Sequence, residues 1–110
     1  MKKGFSTNAF TKFSLLETIE IISDLGYDGL EIVADTPHAF LPLVDEELKK
    51  IKSSLENRRL LVSNINANTV FGWNLEQGNE EKFEPSISNK NETLRKWRVE
   101  YTKKTIKMAA

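Results

Sequence analysis

The sequence has no cysteine, only one histidine, His38, and no long run of apolar residues. The absence of cysteine excludes disulfides and thiolate metal sites, and the short apolar runs exclude a membrane-spanning helix. The first five residues, MKKGF, contain two lysines but lead into no apolar stretch, which argues against a signal peptide. We therefore expect a cytoplasmic protein without a membrane partner.

The chain also lacks an excess of charge of either sign, because 16 Lys and Arg residues balance 16 Asp and Glu residues. A protein that binds nucleic acid through bulk positive charge would need a basic excess, so we expect no nucleic-acid partner. Apolar residues make up 39% and charged residues 29% of the 110 residues. This composition is typical of one globular domain.

Apolar periodicity and capping residues predict three helices. Ser14 stands three residues before Glu17, which is the capping-box pattern of a helix start, and Gly26 can take the left-handed conformation that ends this helix. Acidic residues followed by an apolar stripe predict a second helix over residues 45–57. A third helix is predicted from about Glu92 to the end of the sequence, on the spacing of its apolar residues.

Short apolar segments between the helices predict three strands, at residues 4–7, 29–33 and 60–67. The long polar segment at residues 68–89 is predicted to be a loop, and loops of this length in compact domains are usually functional or disordered. Strands that alternate with helices indicate an α/β fold with a parallel sheet and right-handed crossovers.

Glu31 is a charged residue in the middle of the second strand, between Leu30 and Ile32. Because side chains alternate along a strand, Leu30 and Ile32 share one face and Glu31 lies on the other. In a barrel with an outer layer of helices, Glu31 would point to the interior, where charges are tolerated near the carboxyl ends of the strands. The alternative is an exposed face of a two-layer sheet, and the sequence leaves both open.

Four other side chains are candidate ligand contacts. His38 follows the second strand; histidine is the usual proton shuttle and metal ligand, although a lone histidine is more often structural. Asn64 and Asn66 share a face of the third strand, where their amides could bind sugar hydroxyls or the local backbone. Trp73, together with Phe71, could form a stacking wall for a ligand or cover the end of a barrel. A single histidine without cysteine spells out no metal site.

Three segments resemble the N-terminal part of the sugar phosphate isomerase/epimerase family of xylose isomerase-like TIM barrels: GYDGLEIVADTPHAFLP, LLVSNINAN and RVEYTKKTIKMAA. The opening GFSTNAF is similar to the family's first strand, and GYDGLEI is similar to its second. The resemblance implies a partial (β/α)8 barrel of about three βα units with parallel strands, in which residues 1–110 form a single N-terminal segment. Since a complete barrel typically needs about 250 residues, we expect the chain to be a fragment of one.

The resemblance also implies a reaction for the complete barrel, namely metal-assisted proton transfer on a sugar, a sugar phosphate or a polyol. Family members hold a divalent metal (Mn, Mg, Zn or Co) through Glu, Asp, His and Glu in the later half of the barrel. We therefore expect no metal ligand and no isomerase activity in this chain alone, and we assign no catalytic residue. The residues expected to bind substrate are Glu31, His38, Asn64, Asn66 and Trp73.

Two other functions stay open. Three strand-helix units leave open sheet edges, which invite pairing with another chain, so the chain could be a non-catalytic module that self-associates. A homo-oligomer is expected on this ground. An enzyme of the same superfamily related to endonuclease IV, which repairs DNA, ranks lower because the net charge is zero and the histidine-rich ligand pattern is absent.

Overall fold

The computed structural model describes residues 1–67, 69–77 and 84–110 of the chain. Strands and helices alternate along the described residues in the order β1 (Gly4–Ser6), α1 (Leu15–Asp24), β2 (Gly29–Val33), α2 (Asp45–Asn57), β3 (Leu61–Asn66), α3 (Val70–Gln77) and α4 (Glu92–Ala109), with a 3₁₀ turn after β1. The three strands form one parallel sheet in the order β1-β2-β3. The predicted α/β class and the parallel strand order are therefore confirmed.

Helix α1 begins with the predicted capping box. The Glu17 N–H donates to the Ser14 hydroxyl at 3.3 Å, and the Ser14 N–H donates to the Glu17 carboxylate at 2.8 Å. This reciprocal pair satisfies two N–H groups that a helix start leaves free. The helix buries Ile19 and Ile22 completely against Leu30 of β2, so the main core lies between α1 and the sheet.

Helices α1 and α2 end with the same hydrogen-bond pattern. After α1, the Gly26 N–H donates to the Ser23 carbonyl at 2.9 Å and the Tyr27 N–H to the Ile22 carbonyl at 3.3 Å. After α2, the N–H groups of Arg59 and of the residue that follows it donate to two α2 carbonyls, at 3.0 Å each. This Schellman pattern needs a left-handed residue, which is Gly26 at φ 79° in one case and Arg59 at φ 55° in the other.

The two faces of the sheet differ as the alternation predicts. Leu30 and Ile32 are buried on the helix side, whereas Glu31 is opposite Ser6 of β1 and Asn64 of β3. The register between β2 and β3 shifts at this point, because β3 has one extra residue between the partners of Leu30 and Glu31. This bulge brings Asn64 level with Glu31.

A second core cluster fastens α4 to the end of β2. Tyr101 of α4 is 2% exposed, and its hydroxyl donates to the Ala34 carbonyl at 2.6 Å and accepts the Leu41 N–H at 3.1 Å. The Tyr101 ring also stacks on Phe40 and on Trp97. Because both polar contacts involve backbone groups just after β2, α4 holds the segment that leads from β2 to α2.

The prediction of a loop over residues 68–89 is wrong for Val70–Gln77, which forms α3. The helix start is capped by a residue distant in sequence. Asp35 is fully buried just after β2, and its carboxylate accepts the Phe71 N–H at 2.9 Å and the Gly72 N–H at 2.6 Å. Phe83 and the rest of residues 78–83 lie outside the described residues, as does Asn68.

None of the helices that the structure describes is both long and apolar enough to cross a bilayer.

Candidate functional site

A row of hydrogen-bonded polar side chains crosses all three strands. The Ser6 hydroxyl of β1 donates to Glu31 Oε1 at 2.7 Å, and the Asn64 amide of β3 donates to Glu31 Oε2 at 2.8 Å. Each strand thus contributes one member, and the register of the sheet brings all three together. We call Ser6, Glu31 and Asn64 the polar row.

The surroundings of Glu31 stabilise its charged form. Hydrogen bonds from Ser6, from Asn64 and, to a smaller extent, from Asn66 lower the pKa of the Glu31 carboxyl, while partial burial opposes them. Hydrogen bonds to a carboxylate favour ionisation because they stabilise the anion. Glu31 is therefore a fixed anion at neutral pH and can only accept hydrogen bonds.

The polar row retains the capacity to bind a ligand. A carboxylate has about four lone-pair sites, so the two short bonds to Ser6 and Asn64 leave acceptor positions on Glu31. The Ser63 hydroxyl lies 3.2 Å from Asn64 Oδ1 and orients that amide. A shallow depression of about 270 Å³ opens in front of the row, and the described residues that line it all belong to the three strands.

Asn66 lies on the same side of the sheet as the row, as predicted. Its strand position is opposite Val33, two residues after Glu31, and its amide contributes to the lowered pKa of Glu31. Glu31, Asn64 and Asn66 are thus the predicted contacts that the structure brings together.

His38 makes a different contact. It is 8% exposed, and its Nε2 lies 3.2 Å from the Phe10 carbonyl, which can only accept. Burial lowers the pKa of His38, and the Phe10 carbonyl and the charge of Asp35 oppose that shift. The neutral imidazole therefore donates to Phe10 and joins the segment after β1 to the segment after β2. His38 does not line the depression at Glu31.

Trp73 packs against Trp97, which in turn packs against the second core cluster. It is 7% exposed, and its ring centroid lies 4.3 Å from that of Trp97 on α4. Phe71, on the same helix, is 54% exposed. The described contacts of Trp73 hold α3 against α4, and the residue does not line the depression in front of the polar row.

Two residues of structural importance were missed from the sequence. Ser6 ends a strand of only three residues. The one feature that could have indicated it is its position on the face of the sheet that also carries Glu31. Asp35 anchors α3 through backbone N–H groups more than thirty residues away, a contact for which the local sequence offers no pattern.

The polar row does not fit a divalent-metal site by itself. Metal ions such as Mg²⁺ and Mn²⁺ prefer several carboxylate and other oxygen ligands, and the row has one carboxylate, which Ser6 and Asn64 already engage. Within the part of the chain that the structure describes, no three His, Cys, Asp or Glu side chains converge as metal ligands.

Comparison with known proteins gives no match for this chain, either among protein-family models or among curated proteins.

Proposed function

We propose that residues 1–110 form the N-terminal part of a sugar phosphate isomerase/epimerase-like barrel, in which the polar row contacts hydroxyl groups of a sugar, a sugar phosphate or a polyol. One observation carries the proposal. Ser6, Glu31 and Asn64 form a hydrogen-bonded row across three parallel strands, in front of a depression lined by strand residues.

The two faces of the sheet support a barrel. Parallel sheets occur almost only where both faces are covered, whereas the depression on the Glu31 face is lined by strand residues alone among those described. Closing a sheet into a barrel turns such a face inward. The location of the row also fits, because Ser6 is the last residue of β1 and barrel active sites lie at the carboxyl ends of the strands.

The chemistry of the row suits a polyhydroxylated ligand. The Glu31 carboxylate can accept a hydroxyl proton, and an asparagine amide offers donors and an acceptor at the same time. In this proposal Glu31, Asn64 and Asn66 bind and orient the substrate. The divalent metal expected for the complete barrel has no ligand set in the row, so the proton-transfer step is not assigned to these residues.

The chain alone should bind such a ligand weakly and should not isomerise it. Ligand pockets usually measure about 300–1,000 Å³ and enclose most of the ligand, whereas the depression at the row is shallow and about 270 Å³ in volume. Because the chain alone supplies one wall of a pocket, we expect a dissociation constant on the order of 1 mM or weaker.

Titration of the chain with a panel of aldoses, ketoses and their phosphates tests the proposal. Asn64→Ala removes one amide from the row and should weaken binding about fivefold, the effect of losing roughly 1 kcal/mol of hydrogen bonding. Asn57→Ala is the matched control, because Asn57 is an exposed amide at the end of α2 whose described contact is with Ser53. It should bind as the natural chain does.

Two results would overturn the proposal. One is the absence of binding to every member of the panel at concentrations well above the expected dissociation constant. The other is equal weakening by Asn64→Ala and Asn57→Ala, because this would locate binding away from the polar row.

A further inference from the structure

Strand β3 is an edge strand with backbone groups directed away from the sheet. Among the described residues it pairs with β2 alone. The Leu61 N–H donates to Asp28 at 3.0 Å and the Asn66 carbonyl accepts from Ala34 at 2.8 Å, so these two residues face β2. Backbone groups alternate in direction along a strand. The N–H and C=O groups of Val62 and Ile65 therefore point away from β2, toward the unpaired edge.

In the part of the chain that the structure describes, this edge lacks most of the usual protection against pairing with another chain. Proteins commonly protect edges with short strands, charged side chains or proline. The opposite edge, β1, is three residues long and follows Lys2 and Lys3. β3 is six residues long, and the sequence has neither a charged residue nor a proline between Arg59 and Glu76. Among the described residues, the bulge in β3 is the one protective feature of this kind at this edge.

Apolar side chains accompany the open edge on both faces of the sheet. Leu61 is 51% exposed and Val62 is 42% exposed, and as strand neighbours they point to opposite faces. Beside Val62, a groove of about 470 Å³ runs between α2, β3 and α4, and Ile51 and Met108 are among the apolar residues that line it. A strand added to β3 would cover apolar surface in addition to satisfying backbone groups.

We propose that β3 pairs with β3 of a second copy of this chain about a twofold axis, which joins two three-stranded sheets into one of six strands. A twofold interface brings the same surface of each copy together, so the strand must tolerate itself as a neighbour. An uncharged strand meets this condition, because like charges directly opposite each other destabilise a strand pair. Because β3 carries no charge, a charged peptide would find no side chain of opposite charge on this strand.

The dimer is proposed for residues 1–110 on their own, because in the complete barrel of the proposed function the next strand would pair with β3, and it does not depend on a sugar ligand. Pairing along the edge of β3 adds a strand beside Asn64 without placing a layer over Glu31. The polar row can therefore bind, or fail to bind, a ligand whether or not the chain dimerises, and the two proposals fail separately.

The molar mass of the natural chain in solution tests the dimer first. Light scattering or sedimentation equilibrium over a wide concentration range should give a mass that rises toward twice 12.6 kDa. A mass that stays at 12.6 kDa up to millimolar concentration would overturn the proposal, since no variant enters this measurement.

A matched pair of variants locates the interface. Val62 and Val99 are both 42% exposed, but Val62 lies on β3 and Val99 on α4. Val62→Glu should shift the chain to monomer, because the twofold axis would bring two added charges together, whereas Val99→Glu should leave the dimer intact. Equal dissociation of both variants would place the contact elsewhere and overturn the proposal.

Amide hydrogen exchange of the natural chain decides the outcome if Val62→Glu does not fold. The amides of Val62 and Ile65 should exchange more slowly as concentration rises, because they become hydrogen-bonded in the dimer. The Asn66 amide serves as the internal control, since this residue already faces β2. Exchange at Val62 and Ile65 that does not change with concentration would contradict the proposed pairing.

Discussion

At the scale of single residues, Glu31 is the central member of the candidate site. Its two short hydrogen bonds come from the two neighbouring strands, from Ser6 at 2.7 Å and from Asn64 at 2.8 Å. The bond from Asn64 requires the register in which the extra residue of β3 brings Asn64 opposite Glu31, and the bond from Ser6 requires the register between β1 and β2. The ionisation of Glu31 therefore reports directly whether the polar row is assembled.

Removing the Asn64 amide should raise the pKa of Glu31 toward its ordinary value. Carboxyl carbon chemical shifts followed by NMR through an acid titration measure this pKa in the natural chain and in Asn64→Ala. Asn57→Ala should leave it unchanged. A Glu31 pKa that is the same in all three chains would show that Asn64 does not hold the carboxylate.

The lowered pKa of Glu31 also has a consequence for stability. A carboxyl whose pKa is depressed in the folded state stabilises the fold at pH values above its unfolded pKa, and this contribution is lost as the pH falls through the folded pKa. The advantage of the natural chain over Glu31→Gln should accordingly shrink on acidification.

His38 should titrate below the ordinary value of 6.5, because burial disfavours its charged form. The contribution of His38 to the free energy of unfolding is fully present above pH 6.5 and is lost as the pH falls from there through the lower, folded-state pKa. As the only histidine in the sequence, it gives one unambiguous Hε1 resonance in proton NMR, and the chain unfolded in urea provides the reference titration. A folded-state midpoint at or above that of the unfolded chain would refute the buried neutral imidazole.

At the scale of elements, the sequence predicts the helices whose ends are capped by nearby residues. It does not predict α3. The Ser14–Glu17 pair and the acidic start of α2 are local signals, and α2 spans Asp45–Asn57 as predicted. Helix α3 depends on the Asp35 carboxylate, which the fold brings to its first turn. Its place also depends on Gly72, where an added Cβ would clash with the Phe40 ring.

Arg59→Gly should stabilise the chain. Arg59 holds φ 55° at the end of α2, in the position that Gly26 occupies after α1 at φ 79°, and left-handed conformation costs a residue with a side chain about 1–2 kcal/mol. Part of that gain is offset by the greater freedom of glycine in the unfolded chain, so we expect a net gain of up to about 1 kcal/mol. Urea unfolding measures it.

The matched control for this prediction replaces the glycine at the equivalent position after α1 by a residue with a side chain. Gly26→Ala should lower the free energy of unfolding by roughly 1 kcal/mol, although an added Cβ meets no atom within 4 Å there. The loss would then reflect backbone conformation alone. If Arg59→Gly destabilised the chain, the left-handed conformation at the end of α2 would be excluded.

At the scale of the whole molecule, alternation of elements predicts the parallel α/β sheet, and it predicts part of the site. Glu31 was predicted because alternation within β2 places it on the opposite face from Leu30 and Ile32. Asn64 was predicted because it shares a face of β3 with Asn66. Ser6 was missed because a three-residue strand has too little periodicity. Sequence proximity to β2 could not show that His38 turns toward Phe10, nor could composition show that Trp73 packs against Trp97.

The central claim is that the polar row is a ligand-binding surface, and NMR of the side-chain amides tests it most directly. As a sugar or sugar phosphate is added, the Asn64 and Asn66 amide resonances should shift with one saturating curve, while the Asn57 amide should not move. Shifts at Asn57 without shifts at Asn64 and Asn66, or no shifts for any sugar tested, would contradict the account.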